Sequence, residues 1–301
     1  MTFPKAAIPT LRIDDLHLSF RTYTGLIEVL HGISLHIRRG ERVALVGESG
    51  SGKSVTARII LGLLQMTRSA RVDGLLEFEG RNLSKLSAAE RHRLRGTRMS
   101  MIFQDPTSSL NPVYPVITQF HEVLKRGEPA INVEVARERA SALLAEVFIP
   151  DPQRVLDSYP FQLSGGMNQR VMIAMALANE PALLIADEPG TALDVTVQAQ
   201  TLHLMRDLVV KHHTAVLFIS HNLGVVREFA DRVYVIYKGR IVEHGTAAGL
   251  FDDPRHPYTR ALLDAIPRIT GGGIPEIRDA AEEYFAPMVV HEGCGEPGGA
   301  A

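Results

Sequence analysis

Apolar and polar residues alternate between residues 11 and 46. Leu11-Arg12-Ile13, Leu16-His17-Leu18-Ser19-Phe20 and Ile33-Ser34-Leu35-His36-Ile37 put every second side chain on one face, the spacing of half-buried strands. Residues 72–80, with Val72, Leu75, Leu76 and Phe78, extend this β pattern and close at Glu79-Gly80. Elsewhere the pattern is different. Arg42-Val43-Ala44-Leu45-Val46, Met99-Ser100-Met101-Ile102-Phe103, Ala182-Leu183-Leu184-Ile185-Ala186 and Ala215-Val216-Leu217-Phe218-Ile219 are nearly unbroken apolar runs, as strands covered on both faces are. Helical spacing separates them. It predicts helices over Val55–Leu64, over the charged residues 87–95, over Asp194–Val210 and over Leu223–Phe229. Residues 116–148 predict two or three amphipathic helices, with Val116, Ile117, Phe120, Val123 and Leu124, then Ala140, Leu143, Leu144 and Val147, on their apolar faces. Val233–Tyr237 and Arg240–Glu243 flank a Lys238-Gly239 hairpin turn. A helix is expected from Pro257 to Ile266, a linker at Gly271-Gly272-Gly273, and disorder from Gly293 to Ala301. No internal repeat is visible.

Composition adds limits to this picture. The chain has 301 residues, 45% hydrophobic and 22% charged, ordinary values for a globular protein. No apolar run approaches the ~20 residues that cross a bilayer, and no secretory-signal pattern opens the chain, where Pro4 and Pro9 interrupt the sequence. A net charge of −2 gives no global attraction to nucleic acid. Arg91, Arg93, Arg95 and Arg98 form a local basic run that reads as a solvated helix face. Cys294 is the only cysteine, which excludes an intrachain disulfide and fits a reducing cytoplasm.

One loop carries explicit chemistry. Gly47-Glu48-Ser49-Gly50-Ser51-Gly52-Lys53-Ser54 fits G-x-x-x-x-G-K-[ST] between a covered strand and a helix that begins at Val55. Such a loop aims backbone N–H groups and the positive end of a helix at an anion. Lys53 would reach the β- and γ-phosphates of a nucleotide, and the Ser54 hydroxyl would ligate Mg²⁺. Three other covered strands also end in polar residues, at Gln104, at Asp187-Glu188 and at Ser220-His221. Ligands of open parallel sheets bind beyond the carboxyl ends of the strands, so these ends are expected to converge on the loop. Asp187 would then hold Mg²⁺, and Glu188 would orient or deprotonate an attacking water. His221 would hydrogen-bond the γ-phosphate or that water, and Gln104 would sense metal and water.

Leu163-Ser164-Gly165-Gly166-Met167-Asn168-Gln169-Arg170 resembles the signature segment of the ATP-binding subunits of ABC transporters. A serine and two glycines opening a helix again turn N–H donors toward an anion. The resemblance covers residues 10 to 268. It implies an α/β, P-loop (RecA-like) core with a mostly parallel sheet, an N-terminal antiparallel β subdomain and an inserted helical subdomain at residues 105–178. The ATPase domain would span 10–250, and 251–301 would be a C-terminal extension of the oligopeptide-transporter type. By the same resemblance Gln104 stands at the Q-loop position, Asp187 and Glu188 at Walker B, Asp194 in the D-loop and His221 at the switch histidine. The cofactors implied are ATP and Mg²⁺, with Ser54, Gln104 and Asp187 toward the metal. Ser164, Gly165 and Gly166 would serve the ATP of a partner subunit in a head-to-tail dimer. Tyr23 is the candidate for stacking on adenine, with Phe20 the alternative.

Finer features are similar to the oligopeptide/dipeptide branch, which also serves nickel. They are Gly52-Lys53-Ser54-Val55-Thr56, Phe103-Gln104-Asp105-Pro106, Ser109-Leu110-Asn111-Pro112, Val171–Leu177 and His256-Pro257-Tyr258-Thr259-Arg260-Ala261-Leu262-Leu263. Val55 and Met167 match the "D" type of its paired ATPases. This implies an ATPase that energises a bacterial importer, peripheral on the cytoplasmic face of the inner membrane. Its partners would be a second, non-identical ATPase subunit and two permeases, docked on residues 105–160, with an extracytoplasmic solute-binding protein acting indirectly. The competing reading is a soluble ATPase of the same class working on nucleic acid or ribosomes. The chain lacks the heptads, zinc spacing and second cassette such proteins carry. Three departures stand out. Met167 replaces a common glutamine, Gly190 replaces a hydroxyl residue, and one cysteine cannot supply the four thiolates of an iron–sulfur cluster found in some members.

Overall fold

The computed structural model describes residues 8–23, 25–64, 69–104, 109–189, 195–265 and 282–291. The expectations for Asp105-Pro106, Gly190, Asp194 and the glycine-rich stretches after Gly271 lie outside them. The chain divides into two compact units, residues 1–86 with 217–301 and residues 87–216.

In the first unit, β1 (Leu11–Thr22) pairs antiparallel with β2 (Gly25–Ile37), from Leu11↔Ile37 to Thr22↔Gly25. The alternation read from sequence is interrupted, first after Ile13 and again at Leu18-Ser19. Ile13 and Leu16 are three residues apart yet both fully buried. A register shift between them, with Asp15 at φ 49, returns both to the core side. The two short strands expected there are therefore one bulged strand. The loop strand β3 (Arg42–Val46) follows, and then α1 (Lys53–Ile60). This helix was expected over Val55–Leu64. It starts two residues earlier because Gly52, at φ 110, turns the chain directly into it. It stops at Ile60 because Gly62, at φ 62, allows a Schellman cap: Gly62 N donates to Ile59 O at 2.9 Å and Leu63 N to Arg58 O at 2.8 Å. β4 (Ala70–Phe78) and β5 (Arg81–Asn82), joined by Glu79 and Gly80 at φ 49 and 75, complete a four-stranded sheet of order β2-β1-β4-β5.

The second unit opens with α2 (Ala88–Leu94), which a Ser87/Glu90 capping box starts and which buries no residue. The arginine-rich run is thus a surface, as its charge predicts. β6 (Met99–Ile102) leads to α3 (Val116–Gly127), α4 (Val133–Glu146), α5 (Pro152–Asp157) and α6 (Gly165–Leu177). α3 buries Val116, Ile117, Phe120 and Leu124, and α4 buries Ala136, Ala140 and Leu144. Asn132 and Asp151 cap α4 and α5 through backbone N–H groups. β7 (Leu183–Asp187) is buried at every residue and lies parallel to β6, from Met99↔Leu183 to Ile102↔Ala186. After α7 (Val195–Lys211) the chain leaves the unit along β8 (Ala215–Ser220).

Back in the first unit, α8 (Leu223–Phe229) precedes β9 (Arg232–Tyr237) and β10 (Arg240–Thr246). Their hairpin turns at Lys238 and Gly239, φ 43 and 75, as the sequence predicted. Then come α9 (Ala247–Asp252), α10 (Pro257–Asp264) and the two-residue β11 (Val289–Val290). The strands of this unit run β11-β10-β9-β3-β8, with β3 parallel to β9. The protein is thus α/β, with one antiparallel sheet and mostly parallel strands elsewhere. β3, β7, β8 and β9 are the covered ones, which is why their sequences carry almost no alternation.

Candidate active site

The loop Gly47–Ser54 leaves β3 against the end of β9. A Cβ on Gly47 would overlap the Ile236 carbonyl oxygen, so only glycine fits. Gly52 adopts φ 110, and a Cβ there would come within 2.6 Å of Leu30 Cδ2. Gly239 N donates to Ser51 O at 2.9 Å, tying the loop to the β9–β10 hairpin. Thr56 Oγ1 donates to Gly52 O at 2.8 Å. Lys53 is buried, and its ammonium donates to Gly47 O at 2.7 Å and Glu48 O at 2.6 Å. The lysine therefore sits inside the loop, where the first turn of α1 also presents its N–H groups. Ser49 and Gly50 are exposed, and Ser54 and Val55 are half-buried in that first turn. A compact cation and a helix N-terminus at one spot form a seat for a phosphate group.

Ser220 ends β8, the neighbour of β3 in the strand order, and His221 follows it, so two of the four predicted strand ends lie on adjacent strands. His221 is exposed, and Asn222 next to it caps α8 through Val225 N at 3.4 Å. Tyr23 is fully exposed at the β1–β2 turn, and Phe20 is half-buried.

In the second unit the parallel register of β6 and β7 places their following residues side by side. Gln104 Nε2 donates to Glu188 Oε2 at 3.0 Å. Asp187 is buried at the last position of β7. Glu188 holds φ 49, an uncommon backbone state for a residue with a side chain. Ser164 caps α6: its Oγ accepts from Met167 N at 3.3 Å, with Gly165 and Gly166 in the first turn. Met167 contributes here through its backbone, so the cap does not need the glutamine side chain common in the family. Asn168, buried beside it, donates to Pro160 O at 3.0 Å.

The family model for ABC transporters matches residues 30–191, and that for the C-terminal region of oligopeptide/dipeptide transporters matches residues 242–295. The chain belongs to the ABC transporter ATP-binding family. It is 50% identical to the oligopeptide transport ATP-binding protein OppD of Bacillus subtilis, covering 89% of this chain and 74% of that one. It is 48% identical to the dipeptide transport ATP-binding protein DppD of Escherichia coli, covering 85% and 78%. A solved ATP-binding cassette, dimeric and bound to ADP and Pi after hydrolysis, superposes with a TM-score of 0.69 at 27% identity, covering 79% of this chain and 98% of that one. Its fold and family make this chain an ATP-binding ATPase.

Part of the site's architecture was not foreseen. Tyr258 lies in the His256-Pro257-Tyr258 segment of the second matched region, and its hydroxyl accepts from Glu48 N at 3.1 Å. Glu243, wholly buried, accepts from Arg255 N at 2.9 Å, His256 N at 3.1 Å and His291 Nε2 at 2.7 Å. These bonds fix the entry into α10, which carries Tyr258. In the sequence the only sign was the His-Pro pair, which reads as a helix start and names no target.

Proposed function

We propose that this chain hydrolyses ATP to drive a bacterial importer of peptides or a related small solute. The observation carrying this reading is the succession in one chain of the ABC transporter match and the oligopeptide/dipeptide transporter C-terminal match. The names of its relatives, oligopeptide and dipeptide transport ATP-binding proteins, support it. They give no support to an ATPase acting on nucleic acid or ribosomes.

Each residue's role follows from phosphoryl-transfer chemistry, in which positioning and charge stabilisation supply the rate. Lys53 and the amides of the loop hold the phosphates. Glu188 is the general base for the attacking water, kept in place by Gln104. His221 contacts the γ-phosphate, and Tyr23 stacks on adenine. Ser54, Gln104 and Asp187 offer the oxygen donors that suit Mg²⁺, which when bound neutralises phosphate charge. Among the described residues no group of three His, Cys, Asp or Glu side chains could hold a metal. Ser164, Gly165 and Gly166 contact the ATP of the partner ATPase in a head-to-tail dimer, and Asp194 belongs to the same interface.

No helix among the described residues is long and apolar enough to cross a membrane. In the proposed assembly the subunit works from the cytoplasmic face of the inner membrane by docking residues 105–160 on two permeases, beside a second, non-identical ATPase, with a solute-binding protein outside. ATP can move such an assembly only by binding its closed state more tightly than its open one. The test is peptide uptake into proteoliposomes holding the permeases, both ATPases and the binding protein. Uptake should need ATP on the cytoplasmic side and this chain. ATP-dependent uptake undiminished when this chain is omitted would reject the assignment.

A further inference from the structure

We propose that Tyr258 positions the phosphate-binding loop, so that the region after β10 sets how tightly the chain holds a triphosphate. The proposal rests on the reading of Gly47–Ser54 as the ATP loop. Two groups grip the loop backbone from outside it. Gly239 N donates to Ser51 O at 2.9 Å, and the Tyr258 hydroxyl accepts from Glu48 N at 3.1 Å. The second grip comes from a residue 210 positions away. It holds the loop at its entry, next to the Glu48 carbonyl that receives the Lys53 ammonium at 2.6 Å.

Tyr258 is held by burial, by two aromatic rings and by a hydrogen bond to its own backbone. It is fully buried, its ring centroid lies 4.3 Å from that of Tyr237 and 5.5 Å from that of Tyr284, and burial raises the pKa of its hydroxyl so that it stays neutral. His256 Nδ1 accepts from Tyr258 N at 3.2 Å, and the Glu243 carboxylate holds His256 N. A strut fixed at one end transmits order to what it touches. Here that is one peptide group of the loop, whose geometry decides where the following amides and the lysine meet phosphate. Such pre-organisation lowers the ordering cost of binding.

The hydroxyl can be removed without disturbing the ring. Tyr258→Phe keeps the aromatic cluster and loses the acceptor. Tyr237→Phe is the matched control, because the Tyr237 hydroxyl is buried with no hydrogen-bond partner among the described residues. In the full-length chain, ATP affinity, competition by inorganic tripolyphosphate, kcat, KM and the thermal midpoint are measured for wild type and both variants. Tyr258→Phe should weaken ATP and tripolyphosphate alike by about threefold to tenfold, the span of one neutral hydrogen bond. KM should rise in step, kcat should hold, and Tyr237→Phe should match wild type. Unchanged affinity in Tyr258→Phe would overturn the proposal. So would an equal loss in Tyr237→Phe, or a loss for ATP that tripolyphosphate does not share. Wild-type protein that binds neither ligand would instead overturn the reading of the loop itself.

Discussion

Gln104 and Glu188, 84 residues apart in the chain, meet through a 3.0 Å hydrogen bond from the glutamine amide to the carboxylate. The bond exists because two parallel strands run in register, and Gln104 and Glu188 each stand two residues beyond the last pair, Ile102↔Ala186. It orients the carboxylate assigned as general base and leads from it into the segment before α3. Glu188→Gln keeps size and shape but cannot take a proton. ATP binding should persist while turnover falls by about two to four orders of magnitude, the range of general-base catalysis. Nucleotide titration beside steady-state phosphate release checks this. Normal release would remove Glu188 from the chemistry.

Lys53→Ala tests the phosphate seat. The wild-type ammonium donates to two loop carbonyls, at 2.7 and 2.6 Å, and carries the charge that meets phosphate. Charge-assisted hydrogen bonds are worth ~1.5–3 kcal/mol, so ATP affinity should fall by about tenfold to a hundredfold. Fluorescent-nucleotide titration measures it, and an unaltered affinity would refute the assignment.

Much of this site was legible because its signals are local. Four strand-then-polar junctions, a glycine pattern and a serine-capped helix are each encoded within a few residues, and each forms where its pattern lies. What stayed hidden depends on distant contacts. The bulge between Ile13 and Leu16 is visible only once two neighbouring strands fix the register. The early start of α1 depends on Gly52 adopting φ 110 against Leu30. Glu243 looks like a surface carboxylate of a hairpin strand, yet it is wholly buried because Arg255, His256 and His291 return to satisfy it. No spacing rule pairs residues 48 and 258.

Ser164→Arg tests whether a site is shared between subunits. Ser164 caps α6 through Met167 N and is itself exposed. An arginine there loses the cap, at a cost of ~1 kcal/mol, and obstructs whatever anion approaches the helix. In a complex with its partner ATPase, photolabelling with an azido-nucleotide should drop on the partner and persist on this chain. Equal loss on both subunits would argue against sharing.

Acid should destabilise the fold through buried histidines. His36 and His244 are buried in the first unit and their pKa values are pushed down to about 4, first by burial and then by Arg232, with His291 adding to the effect on His244. Arg232 reaches His36 Nε2 at 2.8 Å, which requires the neutral ring as acceptor, while the same guanidinium pairs with Glu41 at 3.0 Å. In the unfolded chain both histidines would titrate near their ordinary value of ~6.5. Between ~6.5 and about 4 the unfolded state therefore binds protons that the folded state refuses, and stability falls as pH falls through that window. Together the two depressed histidines withhold stability that is a sizeable share of a typical domain's ~5–15 kcal/mol. His17 acts in the opposite sense. Glu28 and Asp15 raise its pKa, so its contribution is complete below ~6.5 and is lost as pH rises through the folded value. His17 is partly exposed, solvent screens it, and the buried pair prevails. Urea midpoints at pH 7, 5.5 and 4.5 should fall steadily in wild type. His36→Gln keeps an acceptor for Arg232 but takes up no proton, so the slope should become shallower. Parallel slopes in the two proteins would show that His36 is not the group refusing the proton.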